Sequence, residues 1–183
     1  STAFIVITLI VMAAMTSSLT SGVYSQYQGG TIVVSQDNDA PEGAIESAEK
    51  ALKDTNGVTA IKHMAQWPVV AQTDTTRGGL YVSPLAPKPF AEPVLSAGTA
   101  PTADDQIIIP ESTVSSLSLK VGDTLKVRSG FTEGDYRTLT IVGTTRSNTI
   151  SMGIPASYVT DGGFSAIFGS TASGQFIVAT SGA

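Results

Sequence analysis

A chain of 183 residues has room for one domain, or for two small ones sharing a continuous core. Hydrophobic residues make up 42% and charged ones only 14%, which excludes a disordered chain; the net charge of −5, without any run of Lys or Arg, excludes a phosphate-reading nucleic-acid surface and a polybasic membrane-surface site. Cysteine is absent and His63 is the one histidine, so disulfides, thiolate catalysis, Cys-based metal sites and a multi-His site within one chain are excluded.

The chain opens on its most apolar stretch. Between Ala3 and Met15 there is no charge and only Thr8 is polar. As a helix this stretch reaches about 20 Å, short of the roughly 30 Å of a bilayer core. Beyond it Met12, Met15, Leu19 and Val23 recur at helical spacing with Ser and Thr between them. The pattern predicts one helix over residues 3–27, apolar all round at first and half polar at its end. Such a gradient suits the end of a membrane helix continuing as a stalk. A core helix of a soluble domain and a signal-like segment are the competing readings.

Gly29-Gly30 ends that helix and Thr31 to Val34 reads as a strand. Asp37-Asn38-Asp39 lacks the further ligands and glycine of a calcium loop and is read as an N-cap, Asn38 or Asp39, with Pro41 and Glu42 in the first turn. A helix follows from Ala40 to Asp54, with Ile45, Ala48 and Leu52 on one face and Glu46–Lys50 and Glu49–Lys53 as favourable i,i+4 pairs. Asn56-Gly57 stops it. Val58 to Met64 is a strand leading on to Trp67-Pro68-Val69-Val70, which makes Thr31 to Val70 a β-α-β unit. Trp67 is expected to fill a gap between helix and sheet, and His63 to be a satisfied strand histidine rather than a catalytic base.

Thr73 to Gly79 is a polar turn between strands, and Gly79 to Val82 a short strand. Pro84, Pro87, Pro89 and Pro93 then mark an irregular crossing segment. Asp104 and Asp105 are read as solvated loop charges, not an acid/base pair. Gln106 to Thr145 reads as a compact β-module: strand 107–109, short helix 111–119, a turn at Val121-Gly122-Asp123, strand 124–127, a reversal over 130–135 and an antiparallel return over 139–142. A short strand over 150–154, a helical turn over 155–159, an interruption at Gly162-Gly163, an apolar knob of Phe164, Ile167 and Phe168, and a strand over 175–179 complete the chain. Ser165 lacks the glycine pattern of a nucleophile elbow, and there is no phosphate-binding or dinucleotide glycine motif. No catalytic, cofactor-binding or metal-binding residue is assigned.

The succession GGTIVV, a helix ending in NGV, a proline-rich crossing, IIIPESTVSSLSLKVGDTLKV, LTIVGTT and MGIPASYV resembles the extracytoplasmic core domain of MacB-like, FtsX-type ABC transporter permeases. Leu119 to Asp123, Thr140 to Gly143 and Ile154-Pro155 stand where that family has a glycine–aspartate turn, a following strand and a proline-containing helix start. The resemblance covers most of residues 10–180. It implies an α+β fold: a membrane-proximal N-terminal helix (1–27), a lobe containing the β-α-β unit (28–82 and 161–183) and an inserted β-rich lobe (83–160). It also implies a further helix and strand after residues 176–179, ahead of a second membrane helix.

In function the resemblance implies a non-enzymatic permease domain on the extracytoplasmic side of the cell membrane, held there through residues 3–15. It would relay ATP-driven movement to export or extraction of lipid, lipoprotein or peptide substrates. Implied partners are an ABC ATPase subunit reached through the membrane part, a second permease copy or paralogue, and an extracytoplasmic protein. The alternative is an interaction module that binds and regulates a cell-wall hydrolase or sensor. Phe90, Phe164, Ile167 and Phe168 are the candidate partner contacts; for the knob, core packing is the stronger reading.

Overall fold

A computed structural model describes residues 32–35, 41, 43–85, 88, 90, 92–146, 156–169 and 175–181. These form an α+β fold of ten strands and three helices: β1 (Ile32–Ser35), α1 (Ala44–Lys53), β2 (Val58–His63), β3 (Trp67–Gln72), β4 (Arg77–Pro84), β5 (Leu95–Gly98), β6 (Gln106–Pro110), α2 (Glu111–Ser116), β7 (Thr124–Ser129), β8 (Arg137–Thr145), β9 (Ala156–Val159), α3 (Asp161–Phe168) and β10 (Gln175–Thr180). The helix expected over residues 3–27, the cap residues Asn38 and Asp39 and the strand expected over 150–154 lie outside the described residues. Among the described residues, no helix is long and apolar enough to cross a membrane. Two compact units result, one holding β1, α1, β2, Phe90 and β10, the other β3 to β9 with α2 and α3.

The first unit is a three-stranded antiparallel sheet in the order β1-β10-β2. Because β10 is antiparallel to both neighbours, β1 and β2 run parallel with the last strand between them. Alternation along β10 divides its side chains between two faces. Phe176 and Val178 join Val34 and Ile45 under α1, with Ala48 and Leu52 at the margin. Ile177 and Ala179 pack with Phe90 on a separate cluster. The face expected for α1 is therefore the one it buries. Its start differs: Gly43, at φ 77°, occupies the cap position without a side-chain hydrogen bond.

The second unit is a mixed sheet in the order β5-β8-β6-β9-β4-β3-β7, and β7 pairs back onto β8. Six strands thus close into a ring, and β5 adds to it as an edge strand on β8. One long strand makes this closure. The first half of β8 pairs with β7 (Lys126↔Thr138, Thr124↔Thr140), and its second half with β5 (Gly98↔Gly143). Along its other side β8 runs parallel to β6. Val69, Val82, Ile107, Ile109, Leu125, Val127, Ile141, Val159 and Phe164 form the core of this unit. At about 1.5–3 kcal/mol for each large apolar side chain removed from water, this cluster is its principal stabilisation.

Three expectations change at this level. Val58–Val70 is broken at residues 64–66, so β2 and β3 fall in different units, and β3, β4 and α3 belong to the ring unit and not to the unit that holds α1. Residues 156–159 are a strand, not a helical turn: β9 runs parallel to β4 (Val82↔Ser157) and all four of its residues are buried. Packing between neighbouring strands outweighs the helix-start signal that a proline provides. Gly162-Gly163 do not interrupt a helix but form the first turn of α3. A Cβ at Gly163 would lie 2.9 Å from the Asp104 carbonyl oxygen, so the loop can reach the helix only past a glycine.

Candidate functional site

The candidate contacts divide by burial. Phe90 is 3% exposed and packs against Ile177 and Ala179. Phe164 is 0% exposed, in the core of the ring unit. Neither side chain has surface to offer a partner: Phe164 agrees with core packing, the stronger reading of the knob, and Phe90 is corrected from a contact residue to a core one. Ile167 and Phe168 are half-buried against the same core.

Around Phe168 lies an aromatic cluster that one-dimensional spacing did not disclose. Trp67, at the start of β3, packs edge-on to Phe168 with ring centroids 5.0 Å apart and tilted against Phe164 at 5.2 Å. Phe164 and Phe168, one helical turn apart, stand 4.6 Å from each other. Trp67 also meets Phe131 edge-on at 5.9 Å. Trp67 does fill a gap between helix and sheet, but the helix is α3, more than ninety positions on rather than the neighbouring one. Phe131, in the β7–β8 loop, is 65% exposed. It was missed because Gly130 to Asp135 reads as a plain reversal; a lone phenylalanine in a polar loop was the available signal.

That loop is tied down. The Gly130 amide donates to the Pro68 carbonyl at 2.9 Å and the Phe131 amide to Ser129 Oγ at 3.2 Å. Arg128 donates to the Thr132 carbonyl at 3.0 Å and lies over the Tyr136 ring, 5.5 Å from its centroid. A Cβ at Gly130 would lie 2.8 Å from the Pro68 oxygen, so glycine is what lets the loop approach β3.

The charged residues singled out earlier serve the fold. Asp104 is no free loop charge: its carboxylate accepts a 2.5 Å hydrogen bond from Thr160 Oγ1, whose oxygen in turn accepts from the Gly163 amide. This places an acidic group at the start of α3, where helix amides and dipole favour it. Asp123 accepts from the Lys120 amide at 3.0 Å, and Gly122, at φ 99°, donates its amide to the Ile141 carbonyl at 2.8 Å. The Val121-Gly122-Asp123 turn therefore fastens the entry of β7 to β8.

His63 Nε2 donates to Glu49 Oε2 at 3.0 Å, and Lys53 meets Glu49 Oε1 at 2.6 Å. His63 is thus a strand histidine joined to α1, although its Nδ1 is buried without a hydrogen-bond partner. Burial pushes the Glu49 carboxyl up, but the hydrogen bonds from Lys53 and His63, with their charges, outweigh it and hold the group below its ordinary value of 4.5. A depressed folded-state value means stability that is complete above the unfolded value and lost as pH falls through the folded one. The advantage of the native protein over Glu49→Gln is therefore expected to be full above about pH 5 and to fade in more acidic solution. Thermal melts of both proteins across that range check it, and a pH-independent difference would contradict it.

Among the described residues, no group of three His, Cys, Asp or Glu side chains is placed to hold a metal ion. No protein-family model matches the sequence, and neither does any curated protein. The fold is more informative. It is similar to the extracellular domain of the noncanonic ABC-type transporter YknZ from Gram-positive bacteria, with a TM-score of 0.54 at 17% identity, covering 75% of this chain and 73% of that one. The chain has the fold of the extracytoplasmic domains of ABC transporter permeases. The periplasmic region of MacB from Actinobacillus actinomycetemcomitans is similar at a TM-score of 0.50 and 13% identity, over 75% of this chain and 64% of that one. Among the described residues, Phe131, Val94 and Val121 are the exposed large hydrophobics, and of these Phe131 is the one in ring contact with other aromatics, Trp67 and Phe168.

Proposed function

We propose that this chain is the extracytoplasmic domain of an ABC transporter permease subunit. The likeness to the YknZ extracellular domain over three quarters of the chain carries the reading. In this role the domain relays movement: an ATPase subunit drives the membrane helices, and the two units described here act on what lies outside the membrane. Export or extraction of a lipid, lipoprotein or peptide is the transport task this implies, with a second permease copy or paralogue beside it. The carboxylates of Glu49, Asp104 and Asp123 are occupied in holding helices and turns, which supports a positional role rather than a chemical one.

The aromatic cluster favours one further reading, in which the same fold binds and regulates an extracytoplasmic protein without passing a substrate. Phe168 with Ile167 remains the candidate contact from the sequence, now beside Trp67 and Phe131 rather than with Phe164.

The permease reading is tested on the full-length protein in intact cells. These 183 residues contain no cysteine, so Thr75→Cys at the exposed β3–β4 hairpin tip introduces a single thiol here. A membrane-impermeant maleimide is expected to label it from outside, above the level of the unsubstituted protein. Detergent extraction is expected to bring an ABC ATPase with the protein. Labelling only after lysis, or recovery without an ATPase, overturns the reading.

A further inference from the structure

We infer that Asn56 is a covalent modification site: its side-chain amide is lost spontaneously through a cyclic imide with the Gly57 nitrogen, and the product loosens the end of β10. Thr55 to Val58 is a β-turn closed by the Val58 amide on the Thr55 carbonyl at 3.2 Å. Asn56 and Gly57 are its two central residues; both are exposed, and Gly57 stands at φ 92°. Closing such a turn leaves the amide between its central residues, that of Gly57, without a partner inside the turn. Among the described residues, neither the Gly57 amide nor the Asn56 carboxamide forms a hydrogen bond. Glycine adds no side chain to crowd its nitrogen. A free nucleophile therefore follows a free electrophile directly in the chain, with solvent around both.

The chemistry balances with water alone. The Gly57 nitrogen gives its proton to solvent base and bonds to Asn56 Cγ; the Cγ–Nδ2 bond breaks and ammonia leaves. Water then opens the ring at either carbonyl. Opening at Cγ yields aspartate with the chain as it was. Opening at the main-chain carbonyl yields isoaspartate, in which the chain runs through Cβ and Cγ. Both products add a negative charge just beyond the end of α1, where the helix dipole disfavours it. Isoaspartate also lengthens the link between α1 and β2 by a carbon. That insertion displaces the Gly57 carbonyl, which accepts from the Ser181 amide at 2.7 Å and from Ser181 Oγ at 3.3 Å. These bonds continue the β2–β10 pair past Thr180, where its register is already irregular. A change in one surface turn thus reaches the end of the central strand of this sheet.

This chemistry is independent of the transport reading. To test it, the full-length protein is held folded at physiological temperature in mildly alkaline buffer and then digested with trypsin. The peptide Asp54–Lys62 carries Asn56 as its only side-chain amide. With time it is expected to gain the mass of an amide-to-acid exchange and to split into two chromatographic species, one of them a substrate for isoaspartyl methyltransferase. Hydrogen exchange at the Ser181 amide is expected to rise in the isoaspartate-rich fraction. Asn56→Ser, a residue that suits the same turn, is expected to lose both changes. A peptide that keeps its amide while the protein is folded overturns the modification site, whether or not it converts in urea. So does a mass gain without isoaspartate, which would mean direct hydrolysis and no cyclic imide. Isoaspartate with unchanged exchange at Ser181 overturns the effect on β10.

Discussion

Replacing Phe164 by alanine is expected to destabilise the ring unit by about 4 kcal/mol. The side chain is fully buried in the core cluster that also holds Val69, Val82, Ile107, Ile109 and Leu125, and it is in ring contact with Trp67 and Phe168. Its removal leaves a cavity that rigid β-strands cannot collapse to fill, and it deprives two half-buried aromatics of their support. With domain stabilities of about 5–15 kcal/mol, such a loss removes from about a quarter to about four fifths of the total. Phe131→Ala, in the same aromatic cluster but mostly exposed, is expected to change stability by no more than about 0.5 kcal/mol. Urea unfolding of the two variants separates an anchor that builds the fold from one that is offered outward. A small loss at Phe164, below about 1 kcal/mol, would contradict the core assignment. Phe168 is no clean probe of binding, because it packs on Trp67 and Phe164 and its replacement would damage the core as well.

The second large effect is expected at Gly143, where alanine should cost about 3 kcal/mol. Gly143 faces Gly98 across the β5–β8 pair. A Cβ there would lie 2.7 Å from the Thr99 carbonyl oxygen and 2.9 Å from that of Ala97, and neither is the movable end of a side chain. Either β5 shifts away, weakening the hydrogen bond from the Thr99 amide to the Val142 carbonyl, or β8 distorts where it also pairs with β6. Gly134→Ala, with nothing within 4 Å of its added Cβ, is the control. It is expected to be neutral or slightly stabilising, because alanine restricts the unfolded chain. Equal melting temperatures for the two alanine variants would show that β5 is not held against β8 as described.

Local signals carried a good deal of this fold. The Ile45, Ala48, Leu52 stripe marked α1 and the face it buries. The β-branched run of Ile107 to Ile109 marked β6, and the reversal before Arg137 set β7 and β8 antiparallel. The order of elements brought out the resemblance that the fold comparison supports. What failed were inferences that took nearest neighbours in sequence for neighbours in space. Gln106 to Thr145 reads as a compact β-module, and its spacing does not show that its strands close into a ring with β3, β4 and β9 supplied from either side. Asp104 reads as a solvated charge because Thr160, the hydroxyl it accepts from, lies 56 positions away.

The candidate site shows the same division. The sequence named four apolar residues and favoured core packing for the three of the knob, without telling the fully buried Phe164 from the half-buried Phe168. A phenylalanine contributes the same apolar surface in either role, and only the strands and helices around it decide how much is covered. The sequence by itself determined the periodicities of most elements and the absence of cysteine and multi-histidine chemistry from these residues, since each depends on residue type and short spacing, while the α+β class followed from the family resemblance. Tertiary structure alone decided that β10 enters between β1 and β2, that β8 closes the ring and that Phe131, not Phe164, is presented to solvent. Those outcomes depend on long-range pairing and burial, which no local pattern encodes.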